Sequence, residues 1–419
     1  MNLKEYKLDE LYRMDSGIST TKEQAGHGEP FVSFRDIFNN YILPETLTEK
    51  MDTSEAEQEK YSVKKGDVFI TRTSETLDEL AMSSVAIKDY PKATFSGFAK
   101  RLRPITENIV YDKYMAFFLR SEYFRKVINC KAVMTLRASF NEEIFSYIKI
   151  MLPEYDYQVK CGDLLYSFER KIRLNNKIIN NLEAMAKTIY DYWFLQFEFP
   201  NEEGKPYKSS GGKMVYNEEL KKEIPEGWQC QTINDVIDMV QGYAFSNSDY
   251  SNKGTYKLYT IKNVQDGEII SKVDNNIKKI PDNMSEECML KPLDIIMSLT
   301  GNVGRVGLVY ENNALLNQRV LKIKPKNNNT LYTYLLFRDI NMKSKLENIA
   351  TGTSQKNLSP VDMGNLKCVI PDNKVLKKFQ ENNNIIQTLV NYKIENQELQ
   401  NLRDYLLPLL VNGQVSFKN

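Results

Sequence analysis

At 419 residues, with 42% apolar and 26% charged side chains, the chain has the composition of a soluble globular protein with room for two or three domains. A single histidine, His27, excludes the two-histidine zinc proteases and every Ser–His triad not built on that residue. The net charge of +1 neither announces a nucleic-acid binder nor forbids one, because binding depends on where basic residues cluster.

Residues 1–153 read as a first mixed body dominated by strands. Short β-rich runs such as Asp67-Val-Phe-Ile-Thr71 and Val85-Ala-Ile87 alternate with turn residues, and a helical pattern covers Tyr111 to Cys130. His27 lies in Ala-Gly-His-Gly-Glu-Pro, the composition of an exposed loop, and the acidic run Glu55–Glu59 reads as a solvated face. Ile148 to Leu152 is a closing strand, and Pro153 punctuates it. The five cysteines (Cys130, Cys161, Cys230, Cys288, Cys368) contain no C-x-x-C pair and read as reduced, buried thiols of a cytoplasmic protein. No window approaches a membrane span, and the opening MNLKEYKLDEL is too charged for a secretory signal.

Residues 154–200 carry a different pattern. Leu165, Phe168, Ile172, Asn175, Ile179, Leu182, Ala186, Ile189 and Trp193 alternate steps of three and four, the seam of a coiled coil, from Tyr157 towards Phe199. About 40 residues make a rod of roughly 60 Å, which needs a partner helix. Residues 372–411 supply one, with a seam of Ile385, Leu389, Tyr392, Asn396, Leu399, Arg403, Leu406 and Leu410. Each seam holds an amide, Asn175 or Asn396, which either sets register or sits wet at the seam's edge. Between the rods, 201–227 is hydrophilic and Gly/Ser/Pro-rich, a linker, and 228–371 forms a second body, opened by Ile224-Pro-Glu-Gly-Trp228. Residues 412–419 are a tail.

The second body repeats the first. Lys65-Gly-Asp-Val-Phe-Ile70 matches Pro292-Leu-Asp-Ile-Ile-Met297, and Lys100-Arg-Leu-Arg-Pro104 matches Leu321-Lys-Ile-Lys-Pro325. Thr135-Leu-Arg-Ala-Ser-Phe140 falls opposite Thr353-Ser-Gln-Lys-Asn-Leu358, and Met151-Leu-Pro153 opposite Val369-Ile-Pro371. The expected fold is α+β: two mixed bodies, two long antiparallel coiled-coil helices and an internal pseudo-two-fold duplication.

Several further motifs come in order: Met185-Ala-Lys-Thr-Ile-Tyr-Asp-Tyr-Trp-Phe-Leu-Gln-Phe197, Phe199-Pro-Asn, Gly211-Gly-Lys-Met214 and Ile224-Pro-Glu-Gly-Trp228. They are followed by Val240-Gln-Gly-Tyr-Ala-Phe245, Lys291-Pro-Leu-Asp-Ile-Ile296, Asn317-Gln318 and Ala350-Thr-Gly-Thr-Ser-Gln-Lys-Asn-Leu358. In this order they resemble the specificity (S) subunits of type I restriction–modification systems, over essentially the whole chain. The first body departs from the pattern, with Val-Met-Thr-Leu-Arg where the second has Thr-Gly-Thr-Ser-Gln.

The resemblance implies a non-catalytic, DNA-reading subunit with two target recognition domains, reading a split target whose unread spacer the rods set. It implies double-stranded DNA and two methyltransferase (M) subunits as partners, with restriction (R) subunits completing a cleaving assembly. The chain itself then needs no cofactor or metal, and S-adenosylmethionine belongs to the methyltransferase. The sequence independently lacks an adenine-binding Pro-Pro-Tyr/Phe motif and a Walker lysine, and Thr300-Gly-Asn-Val-Gly-Arg-Val-Gly307 reads as strand–turn–strand rather than as a phosphate loop. A tandem coiled-coil adaptor that binds other proteins also fits the rods and the charge, but not the matched polar loops and basic strands.

Base readout needs donors and acceptors on exposed loops, with basic residues on phosphates. The candidate loops carry Arg72 and Thr73, Thr135 and Arg137, Thr300, Asn302 and Arg305, and Thr353, Ser354, Gln355 and Lys356. The candidate phosphate contacts are Lys100, Arg101 and Arg103 with Lys322 and Lys324, though alternating basic residues are also ordinary on the wet side of an edge strand. Tyr190, Tyr192 and Phe194 are candidates for partner docking, whereas Trp193 is expected to pack the seam.

Overall fold

The computed structural model describes residues 2–74, 79–131, 138–352, 355–415 and 417. They form two compact units, residues 1–172 with 398–419, and residues 173–397, so the division falls inside both long helices.

Each unit is built on a four-stranded antiparallel sheet of one topology. In the first unit the order is Tyr12–Ser16, Ala99–Pro104, Val68–Thr71, Ser83–Val85, and in the second it is Ile237–Gln241, Val320–Pro325, Ile295–Ser298, Val306–Leu308. Registers match as well: Tyr12 pairs with Pro104, and Ile237 with Pro325. The middle strands are almost wholly buried, and the polar residues on them, Thr71, Lys100, Arg101, Ser298 and Lys322, are buried with the apolar ones. A two-stranded ladder accompanies each sheet, Leu3–Lys7 with Lys149–Pro153 and Gln229–Thr232 with Lys367–Ile370. The units differ in their inserted sheets, three-stranded in the first and five-stranded in the second.

One contact recurs in both units and sets the geometry of the candidate site. The first strand ends in a glycine whose backbone lies against a turn: a Cβ on Gly17 would meet the Ser96 carbonyl oxygen at 2.1 Å, and one on Gly242 the Asn317 oxygen at 2.0 Å. Only glycine permits that approach.

Within each unit the long helices pack antiparallel. In the first, Leu165 joins a core with Leu407, Leu410 and Val411, and Tyr157 donates to the carbonyls of Leu410 and Val415. The charged seam residue Arg403 is accommodated there by Glu169 at 3.5 Å and by the Tyr41 ring at 4.7 Å. In the second unit Ile179 and Ala186 pack with Ile385, Leu389 and Val390. Asn175 is fully buried, and its Nδ2 donates to Asn396 Oδ1 (2.9 Å) and Glu395 Oε2 (2.8 Å), while Asn396 donates to Asn176. The amides are thus inside the seam and bonded to each other, which settles the register reading over the wet-edge one.

Five expectations need correction. The central α-helix runs Tyr155–Tyr190 and ends in a π-turn, Asp191–Leu195, because one extra residue there rotates Phe194 against Tyr332 (4.9 Å) and Phe379 (4.8 Å). The distal rod is two helices, Asn373–Gln380 and Asn383–Val411. Asn383 accepts the Leu331 amide and donates to Asn328, which ties the break to the body. Residues 201–227 are more than a linker: they contain the hairpin Met214–Asn217/Lys222–Pro225, and Phe199 stacks between Tyr207 (4.5 Å) and Trp228 (5.2 Å). The 111–130 pattern splits into Asp112–Phe118 and Glu122–Lys131 at a turn where Ser121 bonds the Phe118 carbonyl. His27 is exposed but sits in a strand, Ala25–Val32. Among the described residues Cys161, Cys288 and Cys368 are free and buried and Cys230 is half-buried, and no helix is long and apolar enough to cross a membrane.

Two substitutions test this framework. Gly17→Ala or Gly242→Ala should lower stability by about 1–3 kcal/mol, read as a fall in the urea midpoint at constant slope. Asn175→Leu alone should cost about 1–3 kcal/mol by leaving the Asn396 Oδ1 acceptor without its donor, whereas adding Asn396→Leu should recover the loss. Simple additivity of the two changes in a double-mutant cycle would contradict the amide pair.

Candidate nucleic-acid interface

The glycine contact places an exposed turn at the end of each sheet. In the second unit the turn is Asn317-Gln318-Arg319. The Gln318 amide donates to the Tyr243 carbonyl (2.9 Å), the Arg319 amide to Asn317 Oδ1 (3.3 Å), and the Val320 amide to the Asn317 carbonyl (2.9 Å). The Leu299 amide then donates to the Arg319 carbonyl (3.0 Å), and the Leu358 amide to the Leu299 carbonyl (2.8 Å). These bonds clamp three segments distant in sequence into one rim.

The rim borders a cleft of about 660 Å³ lined by Gln241, Thr300, Gln318, Arg319, Gln355, Lys356 and Asn357, among others. Thr300 pairs with Asn357 across it, and the Gly301 amide donates to the Lys356 carbonyl (2.9 Å). The side chains on offer are three glutamine amides, a guanidinium and an ammonium, all exposed, with Lys356 Nζ also reaching the Glu347 carbonyl at 3.3 Å. Amides and guanidinium groups are the side chains able to bond a base edge bidentately. Asn302 is exposed on the neighbouring turn, whereas Arg305 is half-buried and held by Gln265 Oε1 at 2.5 Å.

The first unit repeats the clamp. The Arg72 amide donates to the Phe98 carbonyl (2.9 Å), and the Phe140 amide to the Arg72 carbonyl (2.8 Å). Thr73 and Ser74 pair with Ser139 and Ala138. Arg72 is exposed and Thr73 half-buried. Thr135, Arg137, Thr353 and Ser354 lie outside the described residues.

The basic strands do something other than expected. They are interior strands rather than edges, and their charges are consumed by internal carboxylates. Arg101 is 2% exposed and bonds Asp15 (2.7 Å) and the Ser62 carbonyl. Arg103 forks onto fully buried Asp67 at 2.7 and 2.6 Å, an arrangement that raises the guanidinium's own pKa. Lys100 is buried against Glu142 (2.7 Å) and holds that carboxyl below its ordinary range. Lys322 pairs with Asp294 (2.8 Å), and Lys324 bonds Glu287 and pulls its carboxyl down. All five bond carboxylates of their own unit instead of standing free for phosphates: Lys100, Arg101 and Lys322 are buried, while Arg103 and Lys324 stay partly exposed. Tyr190 and Phe194 are likewise buried in an aromatic cluster and unavailable for docking, while Tyr192 is exposed. Trp193 packs on Phe379 at 5.4 Å.

Sequence reasoning overlooked Gln241, Gln318, Arg319 and Phe98. Gln241 and Gln318 stood inside quoted motifs, so a signal existed, but their meeting across Gly242 is a tertiary fact.

Residues 2–184 and 225–403 match the family model described as the type I restriction modification DNA specificity domain. The chain is 26% identical to the type I restriction enzyme MjaIX specificity subunit of Methanocaldococcus jannaschii, over 94% of this chain and 88% of that protein. It is 21% identical to the HindI specificity subunit of Haemophilus influenzae, over 98% and 99%. The fold matches the crystal structure of a type I restriction–modification S subunit from M. genitalium, with a TM-score of 0.59 at 14% identity, covering 98% of this chain and 96% of that one.

Two substitutions separate the two kinds of basic residue. Arg101→Met should destabilise the protein by about 1–3 kcal/mol in thermal or urea unfolding, because it removes the buried guanidinium from Asp15, which then keeps only Arg13 at 3.3 Å. Arg319→Ala should leave unfolding unchanged, within about 0.5 kcal/mol.

Proposed function

The chain belongs to the type I restriction–modification DNA specificity family, and from that premise we propose that it reads a bipartite target, one half-site per unit, with an unread spacer between them. The observation that carries this reading is the duplicated rim. Each unit presents a turn clamped by the same backbone hydrogen bonds, with exposed Arg72 beside the first and an exposed polar cleft beside the second. In the second unit Gln241, Gln318, Gln355 and Arg319 face base edges, and Lys356 and Asn302 support the backbone. In the first, exposed Arg72 and half-buried Thr73, which match Leu299 and Thr300 in the clamp, line the rim.

Recognition is this chain's contribution. Two methyltransferase subunits, carrying S-adenosylmethionine, methylate adenine, and restriction subunits complete a cleaving assembly in the cytoplasm. Tyr192, with exposed neighbours Leu195 and Met185, forms the docking patch for the methyltransferase.

Co-expression with a cognate methyltransferase subunit, followed by methylome sequencing, tests the reading. A bipartite motif with methylated adenine in both halves should appear and vanish when this chain is omitted. Arg319→Ala combined with Gln355→Ala should relax one half only, by about tenfold or more at the affected position. Methylation that persists without the chain would overturn the proposal.

A further inference from the structure

The two rims differ at one position in a way that assigns it a role. Ser96-Gly97-Phe98 repeats the backbone of Asn317-Gln318-Arg319 bond for bond. The Gly97 amide donates to the Ile18 carbonyl (2.8 Å), the Phe98 amide to Ser96 Oγ (3.2 Å), and the Ala99 amide to the Ser96 carbonyl (3.0 Å). Each matches a bond of the second turn, including the side-chain cap on the third amide. Phe98 and Arg319 therefore occupy one structural position, at the tip of a turn rigidified against a glycine.

Arg319 is an ordinary surface residue. Phe98 is not, because it is an aromatic side chain 69% exposed on a clamped turn, beside exposed Arg72. Burying a phenylalanine side chain is favourable, and the folded chain forgoes most of that gain here. A ring held out by a rigid turn, at the site where the second unit holds a guanidinium, is placed to be covered by what the rim binds. A phenyl group has no donor or acceptor to match a base edge. In the major groove it discriminates only by apolar contact, and thymine alone among the four bases presents a methyl group there.

We propose that Phe98 reads a thymine through its C5 methyl in the first half-site, at the position corresponding to the one where Arg319 reads a guanine in the second. This rests on the DNA-reading function proposed above and names the chemistry of one contact within it.

The experiment uses the full chain in complex with its methyltransferase subunit, bound to duplexes of its methylated motif. Each thymine of the first half-site is replaced singly by uracil, which lacks only the methyl group. One replacement should weaken wild-type binding about fourfold, the factor for one buried methyl. Phe98→Ala should bind more weakly and be indifferent to that same replacement. Phe98→Arg should shift the methylome towards guanine at that position, with the second half-site unchanged as the internal control for folding. The inference is overturned by a first half-site without thymine, by a wild-type complex insensitive to every uracil, or by a Phe98→Ala complex that still distinguishes thymine from uracil. Failure of the underlying function would look different: the wild-type complex would show no sequence-specific binding at all.

Discussion

The backbone contact at Gly17 and Gly242 is the constraint on which the candidate interface depends. A carbonyl oxygen about 2 Å from where a Cβ would sit leaves room for hydrogen alone. That approach lets the facing turn donate to the carbonyl at the strand end, and the turn's own carbonyl then receives the amide of a third segment, Arg72 or Leu299. The chain thereby holds an exposed rim rigid with backbone hydrogen bonds. The rim's side chains stay free to vary without disturbing the fold, and a recognition surface needs that separation.

The charged strands show the complementary logic. Lys100, Arg101, Arg103, Lys322 and Lys324 form the most conspicuous basic pattern in the sequence, and they bond carboxylates of their own unit. Burial lifts the Asp15 carboxyl, and the hydrogen bond and charge of Arg101 then draw it below its ordinary range. Such pairs orient the sheet and its insert and leave little field for DNA. The near-zero net charge is consistent with this, since 56 basic residues stand against 55 acidic ones.

The paired helices rely on a different device. Their seams are imperfect as apolar stripes, yet each polar intrusion meets a specific partner: Asn175 meets Asn396, and Arg403 meets Glu169 and Tyr41. Buried polar groups that bond only in one alignment penalise slippage more than leucines would. The π-turn at Asp191–Leu195 works similarly, since its extra residue turns Phe194 into the aromatic cluster while Tyr192 stays outside.

The periodicity and the internal repeat were legible in the chain alone. Seam spacing is a local property of a helix, and Asp67/Asp294 or Pro104/Pro325 keep their order whatever the packing, so the two-body, two-rod plan and the family followed from sequence. The ends of elements were not legible. The break before Asn383 depends on bonds to residues far along the chain, Asn328 and Leu331, and the hairpin in 201–227 is tied to a distant strand by Lys367 donating to Glu219. The site was half legible: the loops at Arg72, Thr300 and Gln355 were found by repeat and composition, but their neighbours Phe98, Gln241 and Arg319 were not. A sequence shows that a residue is basic or aromatic. Only the fold decides whether its charge meets a carboxylate across a sheet, as at Arg101, or its ring meets solvent, as at Phe98, because both outcomes are set by residues brought close from elsewhere.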